Sequence, residues 1–202
     1  WWLALAIGSV PLVVIITLIT PIVIEPAFNK FTPLKDVALK REILDLAFRT
    51  TMRFWHCPKP TIAAVHGACL AGAFELALAC DLTIAAQDAV FGEPELKFGA
   101  GIVTMLLPWL MGPKQAKEIV LLGLDRIDAA TAQQLGIANR VVPSGAHVQT
   151  ALRIASNIAA IDPDLVRDTK KAINRSYEAR GMDIALKQAL DIDHTIESHG
   201  SA

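Results

Sequence analysis

Cysteine is scarce in this chain, and the three residues present, Cys57, Cys69 and Cys80, form no C-x-x-C pair. An odd, unpaired set excludes a disulfide framework and a zinc ribbon, and fits buried reduced thiols in a cytoplasmic protein. Neither sign of charge is in excess. Nineteen Lys and Arg face 20 Asp and Glu, for a net −1 and a pI near 6.6. That balance leaves no basic footprint for nucleic acid. The H-E-x-x-H helix of zinc peptidases is missing, and the nearest approach, His194-Thr-Ile-Glu197-Ser-His199, has the wrong spacing. Gly99-Ala-Gly101 lacks the third glycine of a dinucleotide fingerprint. No metal site and no separate cofactor are therefore expected. Repeats and low-complexity tracts are absent too.

One absence is local. Residues 1–24 carry no charged side chain, and most of the mean hydropathy of +0.42 comes from them. The run is long enough to cross a bilayer as an apolar helix, with Trp1-Trp2 suited to the interface. Pro11 and Pro21 would kink it. Lys30, Lys35, Lys40 and Arg41 follow the run, so the expectation is membrane contact through residues 1–24 with the following domain on the cytoplasmic side. Thr32-Pro33 then reads as an N-cap with Pro at the first helical position. Leu34, Val37, Ile43, Leu44, Ala47, Phe48 and Trp55 mark an apolar stripe at helical spacing.

The most informative stretch is residues 61–95. It opens with a continuous apolar run, 61–65, between Pro60 and His66-Gly67, which predicts a strand buried on both faces. Ala71-Gly72-Ala73 follows, then an apolar helix to Cys80. No Ser, Thr or Asp caps that helix, so its first N–H groups stay open to an outside acceptor at the positive end of the dipole. Strands over 82–86 and 89–91 lead to Gly92-Glu93-Pro94-Glu95. Glu75 is the only charge in the helix. A first-turn Glu can simply complement the dipole, with Glu93 and Glu95 as solvated loop acids. The apolar setting supports a different reading, in which a carboxylate without a polar face has a raised pKa and serves as acid or base.

The segment KPTIAAVHGACLAGAFELALACDLTIAAQDAVFGEPE resembles the core of the crotonase, or enoyl-CoA hydratase/isomerase, superfamily. That family shows a G-x-x-L-G-G-G-x-E-L turn and helix, then a second Glu in F-G-x-P-E. The resemblance runs from about Phe48 to the C-terminus, and LDRIDAATAQQLGIANRVVP matches the segment before the family's last helices. It implies an α/β fold with a ββα spiral core, N-terminally truncated, and a C-terminal helical region, preceded by the apolar membrane-like helix. The domain division is 1–47 for the membrane-like segment and linker helix and 48–202 for the crotonase-like domain, with C-terminal helices over 144–202. Helices are expected over 113–122, 129–135 (capped by Asp128), 145–161, 163–180 (capped by Asp162) and 183–198, with a short strand or extended link at 137–142.

The activity implied by the resemblance is hydration of an enoyl-CoA, with CoA belonging to the substrate. Gly72 N–H would stabilise the enolate oxygen, and Glu75 and Glu95 would serve as acid and base. Spacing alone leaves Glu93 as a rival, and Glu95 is taken from the family motif. Ala68, Leu70, Gly72, Pro94 and Val103 would contact substrate. Family members form homotrimers or dimers of trimers, and Lys170-Lys171 sits where they often meet CoA phosphates or a neighbouring subunit. As a bare pair, those lysines read as a solvated face. The family's A-x-x-A-G-x-D turn, which lends a second oxyanion donor, has no match here. Weak catalysis, or a membrane-tethered CoA-binding module, is therefore the alternative, and isomerase, hydrolase and decarboxylase chemistries stay open. The first 45 residues resemble the N-terminal membrane region of CAAX-prenyl-protease-type metallopeptidases, without the zinc motif.

Overall fold

The computed structural model describes residue 34 and residues 36–199. The expectations for residues 1–24 and for Thr32-Pro33 lie outside them. Among the described residues, no helix is long and apolar enough to cross a membrane.

Helix α1, Val37–Trp55, is capped by Asp36, whose carboxylate accepts the Leu39 N–H at 3.0 Å. Only its end reaches the core, where Thr51, Met52 and Trp55 are buried. Val37, Ile43 and Leu46 are exposed, so the predicted stripe is core only in part. Elements on one side of α1 cover Leu44 and Phe48 partly, and among the described residues nothing covers the outer side.

Two small three-stranded sheets follow. In the first, β1 (Ile62–Val65), β3 (Leu82–Ala86) and β6 (Arg140–Val142) run parallel in the order β1-β3-β6. In the second, β2 (Ala68–Leu70) pairs in parallel with β4 (Val90–Gly92), and β4 pairs antiparallel with β5 (Ile127–Asp128). Helix α2, Gly72–Ala79, joins β2 to β3, so the chain traces strand, strand, helix and then two strands again.

The prediction for 61–65 needs correcting. β1 lies at a sheet edge, with Val65 buried and Ala64 exposed, while the fully buried strand is β3, where residues 83–86 are all buried. Edge and centre positions share one composition here, so local sequence could not separate them. Residues 68–70, assigned no element from sequence alone, form a strand.

Helix α2 is embedded, with Phe74, Ala77, Leu78 and Ala79 buried, and Phe74 meets Phe91 of β4 at 5.9 Å between ring centroids. The β2–β4 register sets Leu70 opposite Gly92, and Ala71 N–H donates to Gly92 O at 3.0 Å. This register brings the start of α2 beside the Glu93-Pro94-Glu95 segment. Gly92 is needed there, because a Cβ would lie 2.6 Å from Asp125 Cα. A 3₁₀ turn, Glu95–Phe98, follows.

The rest is mostly helical. The short α3 (Leu107–Leu110) has no counterpart among the expected helices, while α4 (Pro113–Leu121), α5 (Ala129–Gln134), α6 (His147–Ala159), α7 (Pro163–Glu178) and α8 (Met182–His199) follow them closely. Asp128 and Asp162 cap α5 and α7 as predicted, accepting N–H groups at 2.7 Å and 3.0 Å. The Trp55 ring meets Tyr177 of α7 edge-on at 5.6 Å.

Candidate active site

Glu75 sits in the first turn of α2 with 3 % of its surface exposed. Its Oε1 accepts the main-chain N–H of Thr104 at 3.0 Å. Burial, chiefly, pushes its pKa up, the Thr104 N–H opposes that, and the charge of Glu95 adds to it. Glu93 is more enclosed, with 1 % exposed and Oε1 lacking any hydrogen-bond partner. Burial and the neighbouring Glu75 and Glu95 charges raise its pKa to about 10. Glu95 is half-buried, and its Oε2 also lacks a partner. One carboxyl oxygen from each of the three lies within 4.8 Å of the others.

The uncapped helix start is present as predicted: Ala71, the N-cap, supplies no side-chain hydrogen bond. Phe74 and Glu75 N–H turn back to Ala71 O at 2.8 Å and 3.0 Å. Gly72 comes before them, and a Cβ built on it meets nothing within 4 Å. A cavity of about 400 Å³ joins these groups, lined by Gly72, Glu75, Glu95 and Val103 on one side and by Ile43, Leu46, Ala47, Thr50 and Thr51 of α1 on the other. Ala68 and Leu70 lie on β2, which leads to the helix start, and Pro94 is buried between the two loop acids. None of these three is among the residues lining the cavity.

A larger groove of about 680 Å³ runs between β1 and α6 and shares no residue with this cavity. Its wall is apolar apart from Lys59, so it offers no acid or base pair.

Residues 37–200 match the family profile described as enoyl-CoA hydratase/isomerase. The chain belongs to the enoyl-CoA hydratase/isomerase family. It is 38 % identical over 136 residues to mevalonyl-coenzyme A hydratase sidH of Aspergillus fumigatus, covering 66 % of this chain and 50 % of that protein. Among solved structures, an enoyl-CoA hydratase/isomerase from Xanthobacter autotrophicus Py2 is 63 % identical with a TM-score of 0.79, over 80 % of this chain and 60 % of that one. A carnitinyl-CoA dehydratase from Mycobacterium avium 104 is 30 % identical with a TM-score of 0.63, over 70 % and 59 %. The chain spans about half the length of the curated relatives it matches.

Two features of this family member escaped sequence reading. Thr104 reaches Glu75 through its backbone, which no side-chain pattern announces. Asp193 of α8 is 2 % exposed with neither carboxyl oxygen partnered, although in sequence it is one acid of an amphipathic helix. Lys170 also departs from expectation. It is no solvated lysine: its Nζ donates to Asp81 Oδ2 at 2.6 Å and to Lys59 O at 3.2 Å. Asp81 in turn accepts the Thr61 N–H at 2.7 Å, so Lys170 ties α7 to the start of β1.

Proposed function

We propose that this chain catalyses addition of water across the α,β double bond of an enoyl-CoA thioester. The observation that carries the reading is the placement of Glu75 and Glu95 in one cavity with the open start of α2. Two hydrogen bonds of the O–H···O kind span up to roughly 5.5 Å. One water can therefore bridge carboxyl oxygens that lie within 4.8 Å.

In the proposed reaction, the bridging water adds its oxygen to C3 of the enoyl group while one carboxylate takes its proton. The double-bond electrons move toward the thioester, and its oxygen becomes an enolate. Gly72 N–H, with the helix dipole behind it, stabilises that oxygen without needing to reorganise. The other glutamate, as the acid, delivers a proton to C2. CoA leaves with the product, so no separate cofactor enters. The relatives, among them a mevalonyl-coenzyme A hydratase, support a CoA-thioester substrate.

The test is loss of enoyl absorbance on a short 2-enoyl-CoA. Glu75→Gln and Glu95→Gln keep shape but remove proton transfer, and each should lower kcat by about 10²–10⁴-fold. Full turnover in both variants would overturn the reading. A homo-oligomer is part of the proposal, supported by Leu165, Ile173, Ile184 and Ile192 exposed on α7 and α8. Light scattering of the purified chain tests it. Membrane contact through residues 1–24 rests on their uncharged run, and resistance to salt and alkaline extraction tests it.

A further inference from the structure

Three carboxyl groups this close, two of them buried, cannot all be ionised at little cost, because burial and like charges both disfavour the charged form. Their surroundings differ in a way that picks out one of them. Glu75 has the Thr104 N–H, which stabilises an ionised carboxylate. Glu95 lines the cavity and is only half-buried, so solvent or substrate water reaches it. Glu93 has neither. It does not line the cavity, it is 1 % exposed, and its Oε1 has no partner.

From this arrangement we infer that Glu93 is a positioning residue for the acid/base pair, carrying a proton at neutral pH and donating it as a hydrogen bond to Glu95. The inference rests on the hydratase reading and extends it to a third carboxyl group. Its backbone is held for the task, since Glu93 N–H donates to Leu124 O at 2.7 Å directly after the tightly packed Gly92. The titratable groups facing it are Glu75 of α2, Glu95 of the 3₁₀ turn and the Cys69 thiol of β2, and beyond them the Glu95 charge reaches Asp193 of α8. No cation faces it in this set. Burial, followed by the Glu93 charge, pushes the Cys69 thiol up to about 11, so that group is a neutral neighbour. A protonated Glu93 leaves Glu95 one fewer oxygen free to turn, which fixes the oxygen presented to the water.

Infrared spectra of the full chain at neutral pH test the proton directly. The wild type should show a protonated-carboxyl band that Glu93→Gln lacks, and identical spectra would overturn the inference. Kinetics on a short 2-enoyl-CoA test the role. Glu93→Met, close in volume but without a donor, should lose about 10–100-fold in kcat with little change in KM. Glu93→Gln restores a donor and should recover most of that loss. It should also lack the fall in kcat that the wild type shows toward alkaline pH as Glu93 loses its proton. Equal losses in both variants would show a merely structural residue. Thermal melts of both variants check that they fold. Loss of turnover on chelation, restored by Mg²⁺, would replace the shared proton with a cation and overturn the inference. A wild type with no turnover overturns the hydratase reading and the positioning role together, while the band still decides where the proton sits.

Discussion

The main-chain N–H of Thr104 meets Oε1 of Glu75 at 3.0 Å, tying the loop after the 3₁₀ turn to the first turn of α2. The bond favours the ionised acid, and burial favours the neutral one. Burial is the larger effect, with the charge of Glu95 on its side, so the Glu75 pKa stands above the ordinary carboxylate range.

That balance gives a pH prediction. Removing the Glu95 charge takes away one cause that raises the Glu75 pKa. In the residual activity of Glu95→Gln, the acidic limb of kcat/KM should therefore move to lower pH than in the wild type. A limb that stays in place, or moves to higher pH, would show that another group governs it.

Gly72→Ala separates folding from function. Gly72 is helical, has no positive φ and leaves open space where a Cβ would stand. Replacing a helical Gly by Ala should stabilise the fold by about 0.5–1 kcal/mol. The added methyl enters the cavity beside the proposed oxyanion donor. Turnover of an enoyl-CoA should fall by about 10²–10³-fold, the scale of a lost oxyanion donor. A rise in Tm with unchanged kcat would remove Gly72 from the site.

Ala71 gives the reverse case. It sits at φ +58° and ψ −135°, a region that disfavours any side chain, and it is the only non-glycine with positive φ among the described residues. Such a conformation costs about 1–3 kcal/mol, part of which the extra freedom of an unfolded glycine offsets. Ala71→Gly should raise stability by about 1 kcal/mol, read from denaturant midpoints. A loss of stability would mean that the Ala71 methyl makes a contact worth more than the strain.

These two positions also show what was legible beforehand. The spacing of Glu75, Glu93 and Glu95 and the missing cap before Phe74 could be read directly, because carboxylates and caps are local features. The caps at Asp128 and Asp162 were equally plain, since a carboxylate three residues before the N–H group it accepts leaves a sequence mark. What stayed hidden depends on partners distant in sequence. The burial of β3 rather than β1 is set by which strand lies between two others. The pairing of Lys170 with Asp81 spans 89 residues and turns a nominal surface lysine into a tie. The choice between Glu93 and Glu95 as cavity-facing acid needed the turn geometry after Gly92. The stripe of α1 is half exposed, which periodicity could not reveal because it shows a face and not what covers it.

Asp193 makes the last prediction. Both its oxygens are unpartnered, only 2 % of the residue is exposed, and the Gly101 backbone packs against its carboxyl. Burial and then the Glu197 charge raise its pKa to about 6, against the pull of His194. In the unfolded chain the same group ionises in the ordinary carboxylate range. Below that range both states hold the proton, and the site costs nothing. Between the two pKa values the folded protein holds a proton that the unfolded chain has lost, so stability falls as pH rises, and above about 6 the full cost is present. Asp193→Asn cannot ionise and escapes that cost. Its Tm should be close to wild type in acid and exceed it progressively through the window, with a gain of about 1–3 kcal/mol once Asp193 is ionised. Glu75 and Glu93 are present in both proteins, so their contributions cancel in the difference. A difference in Tm that stays flat with pH would show that Asp193 ionises over the same range in the folded and the unfolded protein, and that its burial carries no such cost.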